Sequence, residues 1–104
     1  MKEVTVSELK QLKDDKNDFQ LIDVREEHEV EICEIGGEHI PMGSVMENLD
    51  KISKSKQVVI HCRSGARSGA ICQALEKEGY DNVYNLKGGI IAYANEIDSS
   101  LTKY

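Results

Sequence analysis

The 104-residue sequence predicts an open α/β fold in which a mainly parallel sheet is covered on both faces by helices. Three observations carry this expectation. Short apolar runs rich in β-branched residues recur at Phe19–Val24, Val58–Ile60 and Val83–Leu86, with the length and composition of buried strands. Between them lie segments of helical composition, and strands that alternate with helices imply crossover connections rather than hairpins. The length suits one hydrophobic core and is too short for two, so residues 1–104 are expected to form a single domain.

In chain order, Val4 and Val6 alternate with polar residues in a first short strand. Ser7 stands at an N-cap position, and Glu8 and Leu9 open a helix to about Asp14, with Leu9 and Leu12 three apart on one face. Lys13 to Asp18 is polar and reads as a solvated turn. After the strand Phe19–Val24, residues Arg25–Glu31 carry a charged short helix anchored through Val30, Ile32 and Ile35, and its acidic run from Glu26 to Glu31 reads as a solvated face.

Gly36 and Gly37 break the chain, His39 and Ile40 form a brief strand, and Pro41 ends it. Ser44 caps a short helix containing Val45, Met46 and Leu49, and Lys51–Lys56 is a surface connection. From about Ala66 a helix sets Ala66, Ala70, Ile71, Ala74 and Leu75 on one side, closed by Gly79 as a left-handed C-terminal cap. Beyond the strand Val83–Leu86, Gly88 and Gly89 turn the chain into a last helix, Ile90 to about Ile97. The tail to Tyr104 is expected to fray.

Composition narrows the function. A net charge of −6 with no basic tract argues against nucleic acid or an anionic membrane as the main partner. No apolar run approaches the ~20 residues of a membrane span, and MKEVTVSELK lacks the apolar core of a signal peptide, so a cytoplasmic protein is expected. Cys33, Cys62 and Cys72 show neither C-x-x-C nor zinc-type spacing. Reduced thiols are expected, with no metal and no cofactor.

The informative stretch is VVIHCRSGARSG, from Val58 to Gly69. It reads as a buried strand, a tight loop and a helix start. A loop wrapped at a helix N-terminus aims unpaired backbone N–H groups at one spot beside the positive end of the helix dipole, which suits an anion. Cys62 sits at its edge. A free thiol with a pKa of about 8.5 is mostly protonated at neutral pH, but amides, a dipole and nearby arginines lower that value, and the thiolate is the nucleophile.

Four motifs in order resemble a single-domain rhodanese over nearly the whole chain: LIDVREEHEVEIC from Leu21, His39-Ile40-Pro41, HCRSGARS from His61, and NLKGGIIAY from Asn85. The resemblance implies a three-layer fold with a five-stranded parallel sheet, and a cysteine that carries persulfide sulfur between a donor and an acceptor. Residue by residue, it makes Cys62 the sulfur acceptor, with Arg63, Ser64, Gly65, Ala66 and Arg67 completing a six-residue substrate-binding loop and Ser68 at the start of the helix. The wording from Leu21 to Cys33, and IPMG from Ile40, is most similar to rhodanese modules fused to activating enzymes of molybdopterin and thiocarboxylate synthesis. The implied partners are a small sulfur donor such as thiosulfate, and a sulfur-carrier protein or cysteine-persulfide donor. Glu38, Met42 and Gly43 depart from the family's common wording around His-Ile-Pro, and Tyr93 stands where tryptophan is common.

Two rivals stay open. A phosphatase or arsenate reductase on the same scaffold is disfavoured by loop length, because those enzymes use Cys-x5-Arg and Cys62 to Arg67 is Cys-x4-Arg. A tighter ring suits one sulfur atom better than a phosphoryl group with three acceptor oxygens. A non-catalytic interaction domain is disfavoured by the intact Cys62. Arg63 and Arg67 are candidates to attract an anionic donor, Arg67 also bracing the loop through an ion pair. Asp23 and Arg25 read as an ion pair or cap, Cys72 as packing, and His61 as structural, because strand alternation points it away from its neighbours. A resolving role for Cys33 or Cys72 is the lesser alternative.

Overall fold

A computed structural model describes residues 1–104. Five parallel strands, β1 (Lys2–Val4), β2 (Phe19–Asp23), β3 (Glu38–His39), β4 (Gln57–His61) and β5 (Val83–Leu86), form one sheet in the order β1-β5-β4-β2-β3. The helices are α1 (Val6–Asp14), α2 (Glu27–Ile32), α3 (Ala66–Lys77) and α4 (Gly89–Glu96), with 3₁₀ turns at Met42–Glu47 and Leu49–Lys51. The expected three-layer α/β fold with a five-stranded parallel sheet is therefore present. β4 lies at its centre.

Alternation along β4 builds a core on each side of it. Val58, Ile60 and Cys62 face one cluster with Ile22, Val45, Ile71 and Leu75, whereas Val59 faces Leu9, Leu21, Leu86, Ile90 and Tyr93. Val58, Val59 and Ile60 have no exposed surface. Each such side chain stabilises the fold by about 1.5–3 kcal/mol relative to exposure, so β4 is a rigid support for the loop at its carboxyl end. That loop opens with Cys62.

Several local expectations are corrected. Val6 lies in α1 rather than the first strand, and the cap is Thr5 instead of Ser7. The Thr5 hydroxyl accepts from the Glu8 N–H at 3.1 Å while the Glu8 carboxylate accepts from the Thr5 N–H at 2.8 Å, a reciprocal box that Ser7 cannot make. β2 stops at Asp23, and the brief third strand is Glu38–His39, where both residues pair with β2. Arg25 is outside the second helix and fully buried. Ser44 caps nothing: the segment is a 3₁₀ turn opening after Pro41, and the Asn48 amide donates to the Ser44 carbonyl at 2.7 Å.

On α3 the buried face is Ser68, Gly69, Ile71, Cys72 and Leu75, whereas Ala66 and Ala70 are exposed. The helix is rotated because Ser68 is drawn inward by polar contacts with Cys62 and Asn85. Gly79 ends it at φ +93°, the left-handed cap expected. The tail does not fray: Leu101 and Tyr104 pack against the core on the α1 and α4 side, and Tyr104 is tied to three polar groups.

Candidate active site

β4 delivers Cys62 to the carboxyl end of the central strand, where ligands bind in open parallel sheets. The next residues form a tight loop that Gly65 turns into α3 at φ +104°. No side chain caps α3, so its first N–H groups stay free for the sulfur. Cys62 Sγ accepts from the Gly65 N–H at 3.1 Å, and from the Ser68 N–H and the Ser68 hydroxyl at 3.4 Å each.

The loop's carbonyls are turned outward by specific partners. The Cys62 carbonyl accepts from the Ile90 N–H at 3.0 Å and the Arg63 carbonyl from the Ile91 N–H at 3.1 Å, so the start of α4 takes up both. The Gly65 carbonyl accepts from the Asn85 side-chain amide at 3.0 Å. With carbonyls held outside, the amides face inward. Gly89 is required there: at φ +63°, a Cβ on it would stand 2.3 Å from the Arg63 carbonyl oxygen. The Gly88–Gly89 turn thus backs the loop, a closer relationship than the turn role alone.

Burial pushes the Cys62 thiol up, but the Ser68 hydroxyl and the Ser68, Gly65 and Ser64 N–H groups outweigh it and leave the thiol below its ordinary value. Ser68 Oγ also lies 2.5 Å from Asn85 Oδ1. A hydroxyl has one proton to give. Cys62 Sγ and Asn85 Oδ1 are the two acceptors within its reach. Burial pushes Cys72 up to about 12, which makes it an inert packing residue at neutral pH. Cys33 packs against the opposite core from Cys62.

The two loop arginines differ. Arg67 is clamped to Glu29 by two parallel bonds, Nη1 to Oε1 at 2.7 Å and Nη2 to Oε2 at 2.9 Å. Glu29 is buried, so the acidic run is not wholly a solvated face, and its partner lies 38 residues away. Arg63 is exposed and donates through Nε to the main-chain oxygen of Tyr104 at 2.6 Å, and through Nη2 to the same atom. Ser64 is exposed on the loop and Ala66 on the first turn of α3, and Ser68 is fully buried beneath them.

Below the loop, Arg25 binds Asp23 through Nε and Nη2, and also donates to the carbonyls of Glu29 at 3.2 Å and Cys33 at 2.7 Å. The expected ion pair is there, and it also fixes α2. His61 Nε2 is 3.7 Å from Asp23 Oδ2 without a hydrogen-bond partner, and burial pushes the imidazole down to about 4, so it is neutral at pH 7. Asn85 and Tyr104 are participants that sequence reasoning does not single out. Asn85 sits within the motif from Asn85 to Tyr93, whereas nothing local marks Tyr104.

The fold and the loop together define a class, a parallel α/β domain that presents a buried cysteine among backbone N–H donors. The Rhodanese-like domain model matches residues 5–96, and the chain belongs to that family. It is 40% identical over 93 residues to a sulfurtransferase of Allochromatium vinosum, covering 88% of this chain and 87% of that one. It is 30% identical over 109 residues to the adenylyltransferase and sulfurtransferase MOCS3-2 of Zea mays, covering 97% of this chain but 23% of the relative. The crystal structure of a rhodanese-like domain protein from Staphylococcus aureus superposes with a TM-score of 0.85 at 33% identity, over 93% of this chain and 95% of that one. These relatives support sulfur transfer as the general class of activity.

Proposed function

We propose that the protein is a sulfurtransferase or persulfide sulfur carrier acting through Cys62, with residues 1–104 as one rhodanese domain. The observation that carries this is the set of N–H and O–H donors converging on Cys62 Sγ. They stabilise negative charge at that atom before any substrate arrives. The same donors suit the outer sulfur of a persulfide, which is also anionic.

In the first step the Cys62 thiolate attacks the outer sulfur of thiosulfate or of another persulfide donor. A sulfur–sulfur bond to Cys62 forms as the donor's sulfur–sulfur bond breaks, and sulfite, in the thiosulfate case, leaves with the electron pair. In the second step cyanide or a thiolate attacks the outer sulfur, a new bond to that sulfur forms as the sulfur–sulfur bond to Cys62 breaks, and the Cys62 thiolate is restored. No general base is needed, because the attacking group is already ionised. Arg63 draws the anionic donor, while Arg67 holds the loop through Glu29. Three free cysteines suit a reducing, cytoplasmic setting.

Sulfur transfer from thiosulfate to cyanide, read as thiocyanate, tests this with wild type beside Cys62→Ser. The wild type is expected to be active and the variant to lose the activity. A variant that retained it would exclude Cys62 as the carrier. Aryl phosphate hydrolysis in place of sulfur transfer would favour the phosphatase reading.

A further inference from the structure

Neither loop arginine has its fork of donors free. Arg67 is matched by the Glu29 carboxylate, charge for charge and bond for bond. Arg63 is exposed, and its Nε and Nη2 both point at the main-chain oxygen of Tyr104 while its guanidinium stacks 5.2 Å from the centroid of the Tyr104 ring. Cys62 itself is 1% exposed. The larger cleft, about 530 Å³, is lined by residues such as Phe19, Gly37 and Lys56 at the far end of the sheet, and the smaller one by Thr5, Lys87 and Ala92. No residue from Cys62 to Ser68 lines either.

Tyr104 is held by its side chain. Its hydroxyl accepts from Arg25 Nη1 at 3.0 Å and donates to Glu29 Oε2 at 2.8 Å. A turn at Asp98, where Ser100 N–H donates to the Asp98 carboxylate at 3.0 Å, brings the tail back to this point. No hydrogen bond ties Thr102 or Lys103 to the rest of the molecule. Between Leu101, which packs against the core, and Tyr104 the chain is therefore a short strap.

From this arrangement we infer that Tyr104 gates the Cys62 loop electrostatically: its main-chain oxygen occupies Nε and Nη2 of Arg63, and an anionic sulfur donor must displace it to use that charge on the way to the thiolate. This rests on the sulfur-transfer reading for the identity of the anion but not for the gate. Of the two arginine contacts, the Arg63 one is the one an anion replaces. Arg63 is in water and meets a single oxygen, whereas Arg67 meets a buried carboxylate through two bonds. With the strap in place the Arg63 charge is masked, so releasing the strap speeds an anionic reagent more than a neutral one of the same size.

Alkylation of Cys62 separates the gate from the sulfur chemistry. Iodoacetate and iodoacetamide are near-isosteric, one anionic and one neutral, and in both cases the thiolate displaces iodide as the carbon–sulfur bond forms. Rates are followed by mass spectrometry on the peptide containing Cys62, in the full chain. Tyr104→Ala is expected to raise the iodoacetate-to-iodoacetamide rate ratio about fivefold, the scale of one guanidinium charge acting at near-contact distance in water. Tyr104→Phe, which keeps the ring and loses both hydroxyl bonds, is expected to give a smaller rise. Adding Arg63→Ala to Tyr104→Ala is expected to return the ratio to the wild-type value. An unchanged ratio, or equal acceleration of both reagents, would overturn the gate. If thiosulfate left no sulfur on wild-type Cys62 while the ratio still rose, the sulfur reading would fail and the gate would stand.

Discussion

Glu29 grips Arg67 through two parallel bonds of 2.7 and 2.9 Å, and so a buried carboxylate on α2 sets the position of the arginine that closes the cysteine loop on α3. Arg67 holds the Glu29 carboxyl well below the usual carboxylate range. Glu29→Gln is expected to lower stability by about 1–2 kcal/mol, a charged hydrogen-bonded pair discounted because Arg67 is a third exposed. A depressed carboxyl contributes its stability above its ordinary value of 4.5, and the contribution is lost as pH falls through the folded value. Urea titrations of the two proteins should therefore differ at pH 7 and converge only in strong acid.

Ser68 supplies two of the contacts to Cys62 Sγ, and only the hydroxyl is lost in Ser68→Ala. The thiol is expected to rise, so that the pH profile of Cys62 alkylation moves to higher pH and the rate at pH 7 falls several-fold. The fold should survive, since Asn85 keeps its bond to the Gly65 carbonyl. An unmoved profile would show that the backbone amides alone set the thiolate.

His61 gives stability a second, milder pH window. Burial pushes it down from 6.5 to about 4, so between those values the unfolded chain binds a proton that the folded chain does not. Stability is expected to fall as pH drops from 6.5 to 4, by on the order of 3 kcal/mol at most, and to stop falling on this account below 4. Asp23 and Arg25 face the imidazole and keep their charges across this window, the carboxyl lowered and the guanidinium raised. In His61→Gln, unfolding curves collected from pH 7 to 4 should lose most of that slope.

The parts of the fold legible in the sequence are those that neighbours in the chain determine. The run from Val58 to Ile60, the loop from Cys62 and the start of α3 are contiguous, and Gly79 ends its helix by its own φ. The loop itself spans Cys62 to Gly65, and Ala66 and Arg67 fall in the first turn of α3. The features that escape a sequence reading involve partners far apart in the chain: Glu29 meets Arg67 across 38 residues, and Tyr104 meets Arg63 across 41 and Glu29 across 75. A charged run with no visible partner reads as solvated, and a polar tail reads as loose. The rotation of α3 has the same cause, because Ser68 is drawn toward Asn85, a residue on a different strand. The Thr5 cap is different, since its signal is local: Glu8 stands three positions after Thr5, and that pairing outweighs a lone serine at Ser7.

Intact-mass spectrometry tests most directly whether Cys62 carries sulfur. The protein is exposed to thiosulfate without reductant and the labelled residue is mapped on its peptide. An adduct of about +32 Da, one sulfur atom, is expected on Cys62 in wild type and absent from Cys62→Ser. No adduct, or an adduct carried by Cys33 or Cys72 instead, would contradict a Cys62 persulfide.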